Sequence, residues 1–212
     1  MRASVVVACF NAEPFLLETL EALAAQDLPQ PWELIFADNG STDASPRIFK
    51  DFAARRPGLP TRFVDASQRT GKAAALNRAI PLAASPKIIV CDADDVPEPD
   101  DLRRLVEALD RHDFVAGRLD TDRLNTGPTG AYRRPHQDSL RLLGYVPDCA
   151  MAAGGVIGFT RRMFEAIGGY NEDMLIEDDE FCVRAHLGGY KLHFVPEALM
   201  HYRLRSDLRD AL

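Results

Sequence analysis

The chain reads as α/β: a mostly parallel, Rossmann-type sheet with helices on both faces, folded as a single domain. Three observations predict this. Apolar runs of strand length alternate with segments of helical period, the order of a β-α-β protein. Runs such as 4–10 (SVVVACF) and 87–91 (KIIVC) are continuously apolar, as in parallel strands covered on both sides. The 212 residues, 46% of them hydrophobic, suffice for one full core, with a regular half over 1–118 and a less regular half over 119–212.

Residues 4–10 form the first strand. Pro14 then sits near a helix start whose inner face carries Phe15, Leu16, Leu20 and Leu23. Residues 33–37 give the second strand. The helix after it opens with Ser41, Thr42 and Asp43 in capping positions and runs to about Arg56, where Pro57-Gly58 ends it. A short third strand covers 62–65, an alanine-rich helix 71–83, and a fourth strand 87–91. An amphipathic helix over 100–112 turns Leu102, Leu105, Val106 and Leu109 inward. In the second half a strand at 114–118 is followed by a polar stretch over 120–135, which reads as a long functional loop. A strand at 155–160, helices at 161–167 and 178–187, and a final strand at 191–195 complete the pattern.

Composition removes several function classes. A net charge of -7 and a pI near 5.2 argue against broad phosphate neutralisation, so no nucleic-acid partner is expected. The four cysteines have no zinc-ligand spacing and read as reduced thiols. No run reaches the roughly 18 apolar residues of a membrane helix, and Met1-Arg2 leads straight into a strand instead of a signal-peptide core. A cytoplasmic location is expected, with docking to a membrane surface compatible.

Two acidic clusters carry the chemistry: Asp92-Ala93-Asp94-Asp95 after the fourth strand, and Glu177-Asp178-Asp179-Glu180 before a helix. Carboxylates emerging together at a strand's C-terminal edge stand where open α/β sheets bind ligands, and they repel one another unless a cation or hydrogen-bond donors offset them. Helix-start acids also complement the helix dipole, which is the plain reading for Asp100 and Asp101 and competes at the second cluster. The turn Asp38-Asn39-Gly40-Ser41-Thr42-Asp43 is either a turn plus N-cap or a set of polar groups aimed at a ligand. The basic run Tyr132-Arg133-Arg134-Pro135-His136 reads as a solvated loop.

In this order, SVVVACFNAEPFLLETLEAL, ELIFADNGSTD, GKAAALNRAI, IIVCDADD, GGVIGFTRRMFEAIGGYNE and IEDDEFCVRAHLGGYKLHFVPEALMHYR resemble the family 2 glycosyltransferases over nearly the whole chain. The resemblance implies a GT-A fold and inverting transfer of a sugar from a nucleoside-diphosphate sugar, a UDP-sugar being favoured, to an acceptor hydroxyl. It makes 1–118 the nucleotide-sugar half and 119–212 the acceptor and catalytic half. It places Phe10, Asn11 and Glu13 beside the base and ribose with Asp38 and Asn39. Many members carry Asp where Asn39 stands, reading the uracil imide; an amide can donate or accept. Lys72 would meet the diphosphate, and Asn77 would pack its helix against the nucleotide loop. Asp92 would lie near the ribose, and Asp94 would bind Mn2+ or Mg2+, with Asp95 a helper. His201 falls either at a third metal ligand or at an ordinary surface histidine. Arg203 or Arg205 would reach the phosphates. Gly154, Gly155, Arg161 and Arg162 would wall the sugar and acceptor pocket beside Glu177. Asp178, or its neighbour Asp179, would be the general base.

The acceptor implied is a hydroxyl on a glycan, lipid-linked, peptide or small molecule. Because the chain stops soon after His201, addition of a single sugar is expected over processive synthesis. Alternatives are a sugar nucleotidyltransferase, against which the GGYNED and EDDE segments argue, and a catalytically lapsed nucleotide-sugar-binding module.

Overall fold

A computed structural model describes residues 1–125, 141–142 and 146–204. Strand β1 (Ser4–Cys9) is central because its valines are buried on both faces. Parallel neighbours β2 (Glu33–Asp38) and β4 (Lys87–Asp92) flank it, and β2 pairs onward with β3 (Thr61–Asp65). Beyond β4, the strand β9 (Ile157–Thr160) wedges in antiparallel between β4 and β6 (Phe114–Asp120). β6 then pairs in parallel with β10 (Leu192–His201), and the two-residue β5 (Val96–Pro97) closes the far edge. The order is β3-β2-β1-β4-β9-β6-β10-β5; β7 (Arg141–Leu142) and β8 (Ala150–Met151) form a separate antiparallel pair.

Strand alternation sends side chains into two cores. On one face Val5, Val7, Leu34 and Phe36 meet α1 (Leu16–Ala24), α2 (Ser45–Arg55) and α4 (Asp101–Ala108) through Leu16, Leu20, Phe49, Phe52, Leu102 and Leu105. On the other, Val6, Ile35 and Phe159 meet α3 (Lys72–Ala79), α5 (Arg161–Ala166) and α6 (Glu177–Leu187) through Leu76, Met163 and Phe181. The expected helices on both faces are therefore observed. No described helix is long and apolar enough to cross a membrane.

Two elements depart from the sequence pattern. The last strand runs six residues past Val195, to His201, with a register break between Val195 and Leu199 that absorbs Pro196. A proline in a strand reads as a stop, but at a bulge its missing N–H costs no ladder bond. Gly117 makes room on the partner strand: a Cβ there would come within 2.8 Å of the Ala198 carbonyl. The strand expected at 155–160 begins only at Ile157, since Gly154–Val156 forms a 3-10 turn that presses Gly155 against the carboxylates of β4's end.

Candidate active site

The C-terminal ends of β1, β2, β4, β6 and β10 share one edge of the sheet. Register sets Asp38 beside Cys9 and Asp92 beside Ala8, so the first strand's end is flanked by a carboxylate on each side. This is the edge at which open α/β sheets take ligands.

Asp92, Asp94 and Asp95 crowd the end of β4. Asp95 is fully buried; its Oδ1 accepts the backbone N–H of Arg203 at 2.9 Å, while its Oδ2 has no hydrogen-bond partner among the described residues. Burial, with Asp92 and Asp94 adding repulsion, holds its carboxyl well above the usual carboxylate range. The Cβ-less face of Gly155 lies against this pair, 2.8 Å from both Asp92 Oδ2 and Asp95 Oδ2 when a Cβ is placed there. Gly155 thus stands against these two acids.

The second cluster arrives from the opposite face. Glu177 and Asp178 occupy the first turn of α6, and Lys72, the first residue of α3, joins them to β4: its Nζ is 2.6 Å from Asp92 Oδ1 and 3.7 Å from Asp178 Oδ2. Burial works against the ammonium, but Asp92 and Asp178 outweigh it and hold Lys72 well above its ordinary value. Burial, then Asp178, raises Glu177. Beneath them the buried Tyr170 ring stacks on Phe181 at 4.2 Å.

Several expected roles are corrected. His201 is not a surface histidine: the ring is buried, with Nδ1 2.6 Å from Asp120 Oδ2 and Nε2 2.6 Å from Glu98 Oε1. Asn39 is turned inward; its amide donates to the carbonyls of Ala66 and Arg69 and its oxygen accepts from Gly71 N–H, which leaves it holding the 66–71 loop. Asn11 and Glu13 hold the 41–44 turn, through Thr42 N–H to Asn11 Oδ1 and Ala44 N–H to Glu13 Oε2, each at about 2.8–2.9 Å. Lys72 pairs with the carboxylates of Asp92 and Asp178. Asn77 clamps the far side of the site, bonding Tyr170 N–H, Tyr170 carbonyl and Glu172, not the nucleotide loop. Arg161 and Arg162 lie at the opposite sheet edge, tied to the carbonyls of Pro81 and Ser85 and to Asp113.

Phe10 is exposed at the end of β1, and Asp38 is buried with Oδ1 3.4 Å from Ser41 N–H. Arg203 reaches the acids through its backbone and through Nε, which donates to the Asp94 carbonyl at 3.0 Å; its guanidinium also bonds Glu18 and covers the Phe15 ring. Arg205, the 132–136 run and most of the 120–135 stretch lie outside the described residues. The carboxylates Glu98 and Asp120, which no motif flags, bracket the His201 ring two residues before Arg203.

These hard oxygen donors suit Mn2+ or Mg2+. Among the described residues no three His, Cys, Asp or Glu side chains form a cation cage.

Comparison with known proteins accords with this geometry. The model for glycosyl transferase family 2 matches residues 4–168, and that for the N-terminal domain of galactosyltransferase matches 136–205. The putative glycosyltransferase EpsH of Bacillus subtilis (strain 168) is 30% identical over 95% of this chain and 60% of its own length. Among solved structures, the mannosyltransferase PcManGT of Pyrobaculum calidifontis, in complex with GDP-Man and Mn2+, superposes with a TM-score of 0.78 at 24% identity, covering 99% of this chain and 59% of that one. S. aureus TarS in complex with UDP gives 0.75 at 20% identity, covering 96% and 61%. The chain spans 22% of the length of one curated relative, from Sinorhizobium fredii, and 48% of another, the poly-beta-1,6-N-acetyl-D-glucosamine synthase of Staphylococcus epidermidis, so where it ends carries no argument about single or repeated sugar addition. With its family model spanning most of the chain and its fold shared with these enzymes, the protein belongs to glycosyl transferase family 2.

Proposed function

We propose that the domain transfers a sugar, with inversion, from a nucleoside-diphosphate sugar to an acceptor hydroxyl, using a divalent cation. The observation that carries this reading is the ion pairing of Lys72 with both Asp92 and Asp178, which brings the donor-side and base-side clusters into one site. Asp178 takes the proton from the acceptor hydroxyl as its oxygen attacks the anomeric carbon. The bond from that carbon to the diphosphate breaks on the opposite side, its electron pair leaving with the nucleotide. Bound at Asp94, Mn2+ or Mg2+ supplies charge stabilisation for the departing diphosphate. Asp92 and Asp38 flank the ribose and base with Phe10, while Asn11, Glu13 and Asn39 act one layer back by fixing the loops that receive them. Arg203, held at the acids, and Arg205 serve the phosphates, and Gly155 and Glu177 border the sugar.

UDP-sugars remain the favoured donors, although Asn39 no longer argues for any base. GDP-Man in one structural neighbour and UDP in another make both worth testing. The acceptor class is a glycan, lipid-linked, peptide or small-molecule hydroxyl. The four buried free thiols accord with a reducing, cytoplasmic setting, including one at the membrane surface.

The test is Asp178→Asn. Nucleotide-sugar affinity stays within a few fold, and transfer or donor hydrolysis falls by roughly 100 to 10,000 fold. Full activity in this variant would move the base elsewhere.

A further inference from the structure

The geometry points to Lys72 as a positioning residue that sets Asp178 for proton removal, in place of a ligand to the donor diphosphate. This rests on the transfer reaction proposed above. The lysine grows from a fixed backbone: Gly71, at φ +124, has its N–H held by Asn39 Oδ1 at 2.7 Å. Its side chain is only 23% exposed, and its one ammonium spans the two carboxylates that belong to different halves of the chain.

The same short segment anchors the base side twice more. Arg69 pairs with Glu172 at 3.2 Å and with Asp173 at 2.5 Å, and Asn77 holds Tyr170 and Glu172. Residues 69–77 therefore meet the approach to α6 at three points, and Lys72, 3.7 Å from Asp178 Oδ2, is the one that ion-pairs with the base itself. Taking the ammonium away to a phosphate would leave Asp178 facing Glu177 on the base side without that offset, a costly arrangement in a mostly buried site even with a cation at Asp94. A base displaced by even about 1 Å loses on the order of 100-fold in rate.

The residue acts through Asp178, so its effect should vanish when Asp178 cannot act. With UDP-GlcNAc or GDP-mannose and Mn2+, nucleotide release is measured for wild type, Lys72→Met, Lys72→Arg, Asp178→Asn and the Lys72→Met/Asp178→Asn double variant, and UDP and GDP affinity by calorimetry. Lys72→Met is expected to lower kcat by about 10 to 100 fold with donor KM and nucleotide Kd within about 3-fold. Lys72→Arg recovers most of that loss. In the Asp178→Asn background, Lys72→Met costs less than about 2-fold more. A tenfold rise in nucleotide Kd, or losses that multiply in the double variant, overturns the inference and returns Lys72 to the diphosphate. Should Lys72→Met fail to fold, Lys72→Gln carries the same comparison. A wild type that neither binds nor turns over any donor would instead refute the transfer reaction, and this role with it.

Discussion

Replacing Gly155 by alanine tests how tightly the donor-side acids are packed. The added methyl would sit 2.8 Å from Asp92 Oδ2 and Asp95 Oδ2 and 3.2 Å from Asp92 Cγ, whereas ordinary contact begins near 3.4 Å. Each oxygen must retreat by about 0.6 Å. Gly155 does not have a left-handed φ, so the whole cost is contact, not backbone strain. Asp95 has little freedom to yield, being fully buried and tied to Arg203 N–H, and Asp92 can swing only by loosening Lys72. Overpacking of this kind costs about 1–3 kcal/mol, equivalent to roughly 5- to 150-fold in an equilibrium. Calorimetric titration with Mn2+ and nucleotide, beside a thermal melt, should show weakened metal-dependent nucleotide binding, a lower Tm, or both. Gly58→Ala is the control, since a Cβ there meets nothing within 4 Å. If Gly155→Ala matched that control in both measurements, the packing argument at the acids would be wrong.

Asn39→Asp keeps an acceptor for Gly71 N–H but strips the carbonyls of Ala66 and Arg69 of their donors; urea unfolding should show a loss of about 2–4 kcal/mol, and an unchanged midpoint would remove the clamp role. Asn77→Ala deletes three bonds to Tyr170 and Glu172 and should cost about 2–4 kcal/mol, with faster amide exchange around 170–173; protection equal to wild type would contradict it. Burial, with Asp100 adding repulsion, pushes Asp101 up to about 7, above its unfolded value of 3.8. The folded state therefore holds the proton more tightly, and stability declines as pH rises from about 4 to about 7. Asp101→Asn should flatten that decline and gain on wild type toward pH 8; parallel Tm–pH curves would refute the assignment.

The sheet was legible where strands are buried on both faces, because a continuous apolar run such as SVVVAC has few other solutions. The end of β10 was not, since Pro196 reads as a stop unless one knows that Gly117 across the sheet accommodates a bulge. The acidic clusters showed in the sequence because each is local. What they bond to did not: His201 finds its carboxylates 81 and 103 residues away, and Asn39 finds carbonyls that carry no side-chain signature. The resemblance made Asn39 a partner of the nucleotide and Lys72 a partner of the diphosphate. Only the packing shows their polar atoms already engaged within the chain.

The most direct test of the central claim is calorimetric titration of the protein with UDP-, GDP- and TDP-sugars, each with and without Mn2+. The account predicts saturable binding of a donor in the presence of Mn2+ that is lost in Asp94→Ala. Binding indifferent to Mn2+ and to Asp94, or no binding across the panel, would contradict it.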